Sequence, residues 1–100
     1  MKYIAYGDVH TDDSDVYEAK NRAIQVEREK FPNRYPMKLL FQDGTPIGAW
    51  TSPRKWFNLY EGTEEQLVNL SVRWFPEANV TFKPMFKGSK LGEANRKLNK

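Results

Sequence analysis

The residues of this chain that could carry out chemistry begin with the stretch YGDVHTDD at positions 6–13. Asp8 and His10 stand at the end of a predicted strand with the spacing of two metal ligands in a metal-dependent phosphoesterase. Such a centre needs further His, Asp and Asn ligands from later strands, because each metal ion takes about four to six donors. His10 is the only histidine of the chain. The stretch is therefore not expected to form such a centre, and we expect no metal and no cofactor.

Proton transfer is the chemistry that this stretch could still support. His10 and Asp8 are candidate catalytic residues, with His10 as a single general acid or base at a strand end. The alternative is a partly exposed histidine beside the acidic start of a helix. Asp12, Asp13 and Asp15 are interpreted as helix caps and first-turn charges.

Size and composition limit the class of protein. The 100 residues, of which 39% are hydrophobic and 29% charged, predict one ordinary globular domain. The absence of cysteine excludes a disulfide framework and a cysteine nucleophile, and is typical of a reducing compartment. Strand-like alternation begins at Lys2, which leaves no room for a signal peptide, and no apolar run approaches the roughly 18 residues of a membrane span. A soluble, cytoplasmic protein is expected.

Positive charge is concentrated at the carboxyl end. Residues 87–100 hold five basic residues and one acidic residue, a net of +4 within a chain total of +3, which leaves −1 for residues 1–86. The end of the chain, KGSKLGEANRKLNK, has no aromatic residue and no sustained apolar face. The sequence therefore predicts a single domain over residues 1–87 and a basic, flexible tail over residues 88–100.

Four strand-like and two helix-like segments alternate in the body. Strands are predicted at residues 2–10, 37–42, 55–61 and 79–87, and helices at residues 14–30 and 63–75. The first helix has an apolar stripe formed by Val16, Tyr17, Ala19, Ala23, Ile24 and Val26. The second opens on Thr63 and Gln66 in capping-box spacing. The order βαββαβ predicts an α+β, ferredoxin-like fold: a four-stranded antiparallel sheet with both helices on one face.

Strand alternation predicts two different sheet faces. The face beneath the helices is expected to hold Ala5, Val9, Leu39, Phe41, Phe57, Leu59, Val80 and Phe82. The open face is expected to hold Tyr6, Asp8, His10, Lys38, Leu40, Gln42, Trp56, Asn58, Tyr60, Thr81, Lys83 and Met85. Large apolar groups left in water usually mark a binding surface or a subunit interface.

The segment IGAWTSPRKWFNLYEGTEEQLVNLSVRWFPEANVTFKPMF, residues 47–86, resembles a small family of uncharacterised domains in the dimeric α/β-barrel superfamily. The matching positions are Gly48, Trp50, Trp74 and Pro84. The resemblance implies a homodimer in which two ferredoxin-like subunits face each other with their open sheets and close a barrel around a ligand cavity. It also implies that any enzymatic activity is cofactor-independent and monooxygenase- or isomerase-like.

Pairing of the open faces would turn their aromatic and polar groups into the lining of that cavity. The candidate ligand-binding residues are Tyr6, Trp50, Trp56, Asn58, Tyr60, Lys83 and Met85. The expected ligand is a small, partly apolar molecule. The alternative is a barrel filled by its own side chains.

Two other functions fit the same topology. An RNA-recognition motif is also βαββαβ and would stack bases on Tyr6, Trp56 and Tyr60. Against it, RKWFNLYE lacks the Gly-aromatic-Gly-Phe core of the usual third-strand signature, and the body charge of −1 offers phosphates little attraction. Nucleic acid is therefore an unlikely partner, and no membrane partner is expected. A non-catalytic accessory subunit is the third possibility.

Overall fold

The computed structural model describes residues 1–86 and 88–99. Within them the chain is an α+β protein with three α-helices and an open antiparallel sheet of five strands. The elements are β1 Lys2–Val9, α1 Ser14–Lys30, β2 Met37–Lys38, β3 Gly48–Ser52, β4 Lys55–Glu61, α2 Glu64–Trp74, β5 Ala78–Pro84 and α3 Gly88–Leu98, with a 3-10 turn at Pro32–Arg34.

The sheet is centred on β1, which pairs antiparallel with β4 on one side and β5 on the other. The outer edge of β4 is shared by two short strands, since β2 pairs with its last residues and β3 with its first. The predicted strand 37–42 is therefore wrong beyond Lys38, and four predicted strands become five. The chain between β2 and β3 turns at Gly44, whose φ of 87° favours glycine.

The register decides which face of β4 lies beneath the helices. Gly7 stands opposite Trp56 on one side and Val80 on the other. Trp56 and Tyr60 are 5% and 3% exposed and belong to the core. Strand alternation then puts Phe57 on the open face.

The sequence-based assignment of β4 is thus wrong: Trp56, Asn58 and Tyr60 face the helices, and Phe57 and Leu59 do not. The physical reason is the missing side chain of Gly7. A β-carbon built on Gly7 would overlap the six-membered ring of Trp56, so the largest side chain of β4 fills the space that the smallest residue of β1 leaves.

Of the other residues that were predicted to lie beneath the helices, some are in the core and some are not. Ala5, Val9 and Val80 are buried and Phe82 is packed against them, as predicted. Phe41 is 55% exposed in the loop between β2 and β3, so its assignment to the core is wrong. Leu39 is half-buried; its N–H donates to the Leu59 carbonyl 2.9 Å away, and alternation from Lys38 puts it on the open side.

Helix α2 begins with the predicted capping box. The Thr63 hydroxyl accepts a bond from the Gln66 N–H at 3.3 Å, and the Gln66 side chain accepts one from the Thr63 N–H at 2.9 Å, which confirms the capping box. Leu67, Leu70 and Trp74 are buried at helical spacing. This helix therefore fixes one wall of the core.

Helix α1 turns an unexpected side toward the sheet. Asp13 caps it as predicted, accepting a bond from the Asp15 N–H at 2.9 Å. Val16 and Val26 from the predicted apolar stripe are 42% and 52% exposed, however. The inward positions follow the spacing i, i+4, i+7, i+11 and are Tyr17, Asn21, Ile24 and Arg28.

Ion pairs lie along one edge of the rotated helix. Lys20 Nζ lies 3.3 Å from Glu77 Oε2 just before β5. Arg73 of α2 donates from Nη2 to Glu27 Oε1 at 2.6 Å and from Nε to the Tyr35 hydroxyl at 3.2 Å. These contacts hold one edge of α1 against α2 and β5, so its other edge faces β3 and β4.

The basic carboxyl end is helical in its described part. Helix α3 covers Gly88–Leu98, where the sequence predicts a flexible tail, and all of its residues are exposed. The flexibility of this segment stays a prediction. Lys87 and Lys100, which belong to the predicted last strand and tail, lie outside the described residues. Across the described helices, none combines the length and the apolar character that a membrane crossing requires.

Candidate ligand-binding cleft

A cleft of about 480 Å³ lies between α1 and the edge of the sheet formed by β3 and β4. Small-molecule sites usually have this size and combine apolar walls with a few polar groups. Its aromatic lining residues include Tyr17, Trp50, Trp56, Tyr60 and Trp74. Its polar lining includes Asn21, Gln25, Arg28, Lys38 and Asn58. The three tryptophans of the chain therefore all meet at one place.

The aromatic rings form a continuous wall. Tyr17 stacks on Trp74 with ring centroids 5.1 Å apart and an interplanar angle of 21°, and meets Trp50 edge-on at 5.6 Å. Trp74 in turn lies 6.1 Å from Trp56. Trp56 and Trp74 are buried, whereas Trp50 is 54% exposed. The wall therefore has a rigid base and one ring that is open to a ligand.

Gly48 sets the position of the Asn58 side-chain amide in the cleft. A β-carbon at this residue would collide with Oδ1 of Asn58 and with the carbonyl of Phe57. Gly48 and Asn58 are paired across β3 and β4. Glycine at position 48 therefore lets the Asn58 side chain lie against the neighbouring strand and still line the cleft.

Unpaired hydrogen-bond donors belong to two residues that line the cleft. Nε and Nη1 of Arg28 are buried and have no partner among the described residues, and the same is true of Nε1 of Trp56. The Arg28 guanidinium lies over the Tyr60 ring, 5.5 Å from its centroid, and near the Tyr60 hydroxyl but without hydrogen-bond geometry. The Trp56 indole nitrogen is near the Tyr17 hydroxyl but without hydrogen-bond geometry. Buried donors without acceptors are costly, which makes this group unusual for a plain core.

The electrostatics of the cleft disfavour the charged form of Lys38 and the ionised forms of both tyrosines. Burial lowers the pKa of Lys38 and the nearby Arg28 charge lowers it further. Burial raises the pKa of Tyr60. It also raises the pKa of Tyr17 to about 12, with a further contribution from Tyr60. Both tyrosines are therefore neutral near pH 7 and can donate hydrogen bonds.

Alkaline pH is expected to destabilise the fold through Tyr17. Its pKa is about 12 in the folded chain against an ordinary 10.0, so the unfolded chain loses this proton first and stability falls as pH rises from 10 to 12. Lys38 acts in the opposite direction, because its lowered pKa makes stability rise as pH approaches 10.5 from below. We expect a loss of about 1 kcal/mol from Tyr17, below the ~2.7 kcal/mol of two full pKa units, since solvent screens a half-buried hydroxyl.

Urea unfolding measured at pH 7, 10, 11 and 12 on the wild type and on Tyr17→Phe tests this expectation. The free energy of unfolding of the variant should differ from that of the wild type by a constant amount up to pH 10. Above pH 10 the variant should lose less stability than the wild type. Equal slopes above pH 10 would contradict the assignment.

The predicted ligand-binding residues fall into two separate places. Trp50, Trp56, Asn58 and Tyr60 come together in the cleft on the helix side. Tyr6 and Lys83 lie on the open face, where Lys83 Nζ is 5.5 Å from the centroid of the Tyr6 ring. Met85 follows β5, is half-buried, and its N–H donates to the Lys2 carbonyl at 2.9 Å. The single predicted site is thus divided by the sheet.

Asp8 and His10, the candidate catalytic pair, are both exposed and neither lines the cleft. The His10 N–H donates to the Glu77 carbonyl at 2.9 Å, and Asp12 pairs with Arg54. Among residues 1–86 and 88–99, no three His, Asp or Glu side chains gather as a metal ion would require.

Several residues of the cleft were not predicted as ligand-binding, among them Tyr17, Arg28 and Lys38. The first two would have required the correct rotation of α1, which depends on contacts with α2 and β5. A sequence signal exists in the spacing of Tyr17, Ile24 and Arg28, which puts a cation on the same side as two core-forming residues.

Comparison of the chain with protein-family models, with curated proteins and with solved structures gives no match in any of the three. The class of protein is therefore defined by the fold and the site. It is an α+β protein with an open antiparallel sheet and an aromatic cleft between its first helix and the sheet edge.

Proposed function

We propose that this chain is a small-molecule-binding domain that holds a planar, partly aromatic ligand in the cleft beside α1. The observation that carries the proposal is the convergence of five aromatic rings and several polar groups on a cleft of about 480 Å³. Pockets of this volume with a few convergent polar groups are the usual form of small-molecule sites.

Trp50 is the residue that distinguishes a binding site from a filled core. It stands on the short strand β3, touches the edge of Tyr17, and leaves 54% of its surface exposed. A flat ligand laid against this ring would remove apolar area from water on both partners, at roughly 25 cal/mol per Å². The proposal concerns binding, and the only histidine is not among the lining residues.

Nuclear magnetic resonance offers a direct test, since the three indole N–H groups all report on the cleft. The ¹⁵N-labelled protein would be titrated with 2-naphthamide and with 2-naphthoate, two planar probes of equal size. We expect at least one probe to shift the indole signals saturably, with Trp50 strongly affected. Absence of any shift at millimolar concentration of both probes would overturn the proposal.

A matched pair of variants separates the cleft from nonspecific contact. Trp50→Ala should weaken probe binding at least tenfold. Phe41→Ala removes a ring of similar exposure, 55% against 54%, from outside the cleft lining, and should leave the affinity unchanged. Equal effects of the two substitutions would argue against the cleft.

The open face of the sheet supports a second proposal, that the fold is ferredoxin-like and forms a homodimer through this face. The order β2–β4–β1–β5 supports it, because a ferredoxin-like sheet also has its first strand flanked on both sides, and here β2 and β3 share the place of one edge strand. The half-buried apolar residues on this side are Ile4, Leu39, Ile47, Phe57 and Leu59. Because Asp8 stands beside Lys55 in register, the face carries both charge signs and suits a second copy better than a phosphate backbone.

Light scattering on a size-exclusion column tests this pairing. The wild type is expected at about twice the chain mass of 11.7 kDa, and Leu59→Glu at the monomer mass, because it puts a charge in the centre of the interface. Val72→Glu, at a side chain 66% exposed on α2, should remain dimeric. A monomeric wild type would reject the pairing, and a mobility shift of single-stranded RNA at low salt would then favour the RNA-binding alternative.

A further inference from the structure

We propose that the ligand of this cleft is an organic anion, an aromatic carboxylate or a compound of like charge, whose negative group is held by Arg28 together with Lys38 and the Trp56 indole N–H. This inference rests on the proposed function, since it assigns the chemical class of the molecule that the aromatic cleft binds. It follows from the balance of charge and of donors in the cleft.

The charged groups of the cleft are mainly positive. Arg28 and Lys38 both line it, and neither makes a salt bridge within the part of the chain that the structure describes. Glu18 also lines the cleft, but it is largely exposed and lies 3.9 Å from Arg22 on the following turn. Two neighbouring cations without an anionic partner repel each other, and an anion between them would remove that cost.

The buried unpaired hydrogen-bonding groups of the cleft are all donors. Nε and Nη1 of Arg28 and Nε1 of Trp56 are buried donors without an acceptor in the described chain. An arginine carries five N–H donors and no acceptor, and an indole carries one donor only. A carboxylate is acceptor-only and pairs with a guanidinium through two parallel bonds. Donors that water does not reach gain most from such a group.

Access requires movement of the Arg28 side chain and of the Tyr17 hydroxyl that lies near the Trp56 indole N–H. The Arg28 guanidinium rests over the Tyr60 ring, and its two unpaired nitrogens are covered. Rotation about the side-chain torsions would bring them into the cleft as an anion enters, and staggered rotamers make such steps inexpensive. The ring of the ligand would then lie toward Trp50, at the open end of the aromatic wall.

The test compares the two naphthalene probes, which differ in charge but not in shape. We expect 2-naphthoate to bind at least tenfold more tightly than 2-naphthamide and to move the Trp56 indole N–H signal downfield. Arg28→Gln should bring the affinity ratio of the two probes close to one, mainly by weakening the naphthoate. Arg28→Lys, which keeps the charge without the planar fork, should give an intermediate ratio.

Arg96→Gln on the exposed helix α3 is the matched control, because it removes the same charge outside the cleft and should preserve the ratio. Lys38→Gln should lower it. Equal binding of both probes would overturn the anion assignment and leave the proposed function standing. The same holds if Arg28→Gln leaves the affinity ratio unchanged while its indole signals remain those of the folded protein. Binding of neither probe would reject the proposed function itself.

Discussion

Gly7→Ala is expected to lower the free energy of unfolding by about 3 kcal/mol, the upper end of the usual cost of overpacking a core. The new methyl group would overlap the Trp56 ring. Trp56 is 5% exposed and is held by Trp74 on its other side, so it cannot move without disturbing the base of the cleft. A single change on the central strand is thereby expected to weaken both the sheet and the site.

Urea unfolding followed by far-ultraviolet circular dichroism measures this effect. Gly92→Ala is the control, because a β-carbon at Gly92 meets nothing within 4 Å and alanine favours the helical conformation there. In the Trp56→Leu background the added cost of Gly7→Ala should be small, since the overlapping ring is gone. An undiminished cost in that background would show that the Gly7 requirement has another origin.

The order of the elements could be read from the sequence because local signals agree with the fold. The capping box at Thr63 and Gln66, the cap at Asp13, and the alternation of Ala5 and Val9 are all found in the structure. These signals act within a few residues of one another. The spacing of residues within each segment is therefore enough to predict the caps and the strand alternation.

The faces of β4 could not be read in this way. The strand KWFNLYE has Trp56 and Tyr60 on one side and Phe57 and Leu59 on the other, so hydrophobicity alone does not choose between them. The choice is made by the opposite residue, Gly7, whose pairing with Trp56 is a long-range contact. A register shift of one residue exchanges the two sides of a strand completely.

The rotation of helix α1 about its axis could not be predicted from its apolar pattern for a related reason. Its most apolar arc includes Val16 and Val26, which are exposed, while Arg28 lines the cleft. Local pattern predicts only part of the inward side, since Tyr17 and Ile24 of that arc do face the core, while Lys20 and Glu27 form ion pairs with other elements. Places where a local rule fails are often functional, because a core built for packing alone would not turn a cation inward.

Trp74→Ala is expected to lower the free energy of unfolding by about 4 kcal/mol, as is usual when a buried tryptophan is truncated. Trp74 is 4% exposed and contacts both Tyr17 and Trp56. Removing it leaves a cavity beneath α1 and takes away the stacking partner of Tyr17. For a domain of 100 residues, with a total stability of about 5–10 kcal/mol, this is a large share.

Trp50→Ala is the contrasting substitution in the same cleft. Trp50 is 54% exposed, so its loss should cost about 1 kcal/mol of stability, mainly the edge contact with Tyr17. Its loss should nevertheless remove most of the probe binding. Urea unfolding and naphthoate titration of both variants give four numbers that separate the two roles.

A large stability loss with Trp74→Ala and a large affinity loss with Trp50→Ala would identify the buried ring as support and the exposed ring as the ligand contact. If Trp50→Ala cost as much stability as Trp74→Ala and left the affinity unchanged, its exposed ring would be part of the packing. The cleft would then be a feature of the core, and the open face of the sheet would become the place to search for a ligand.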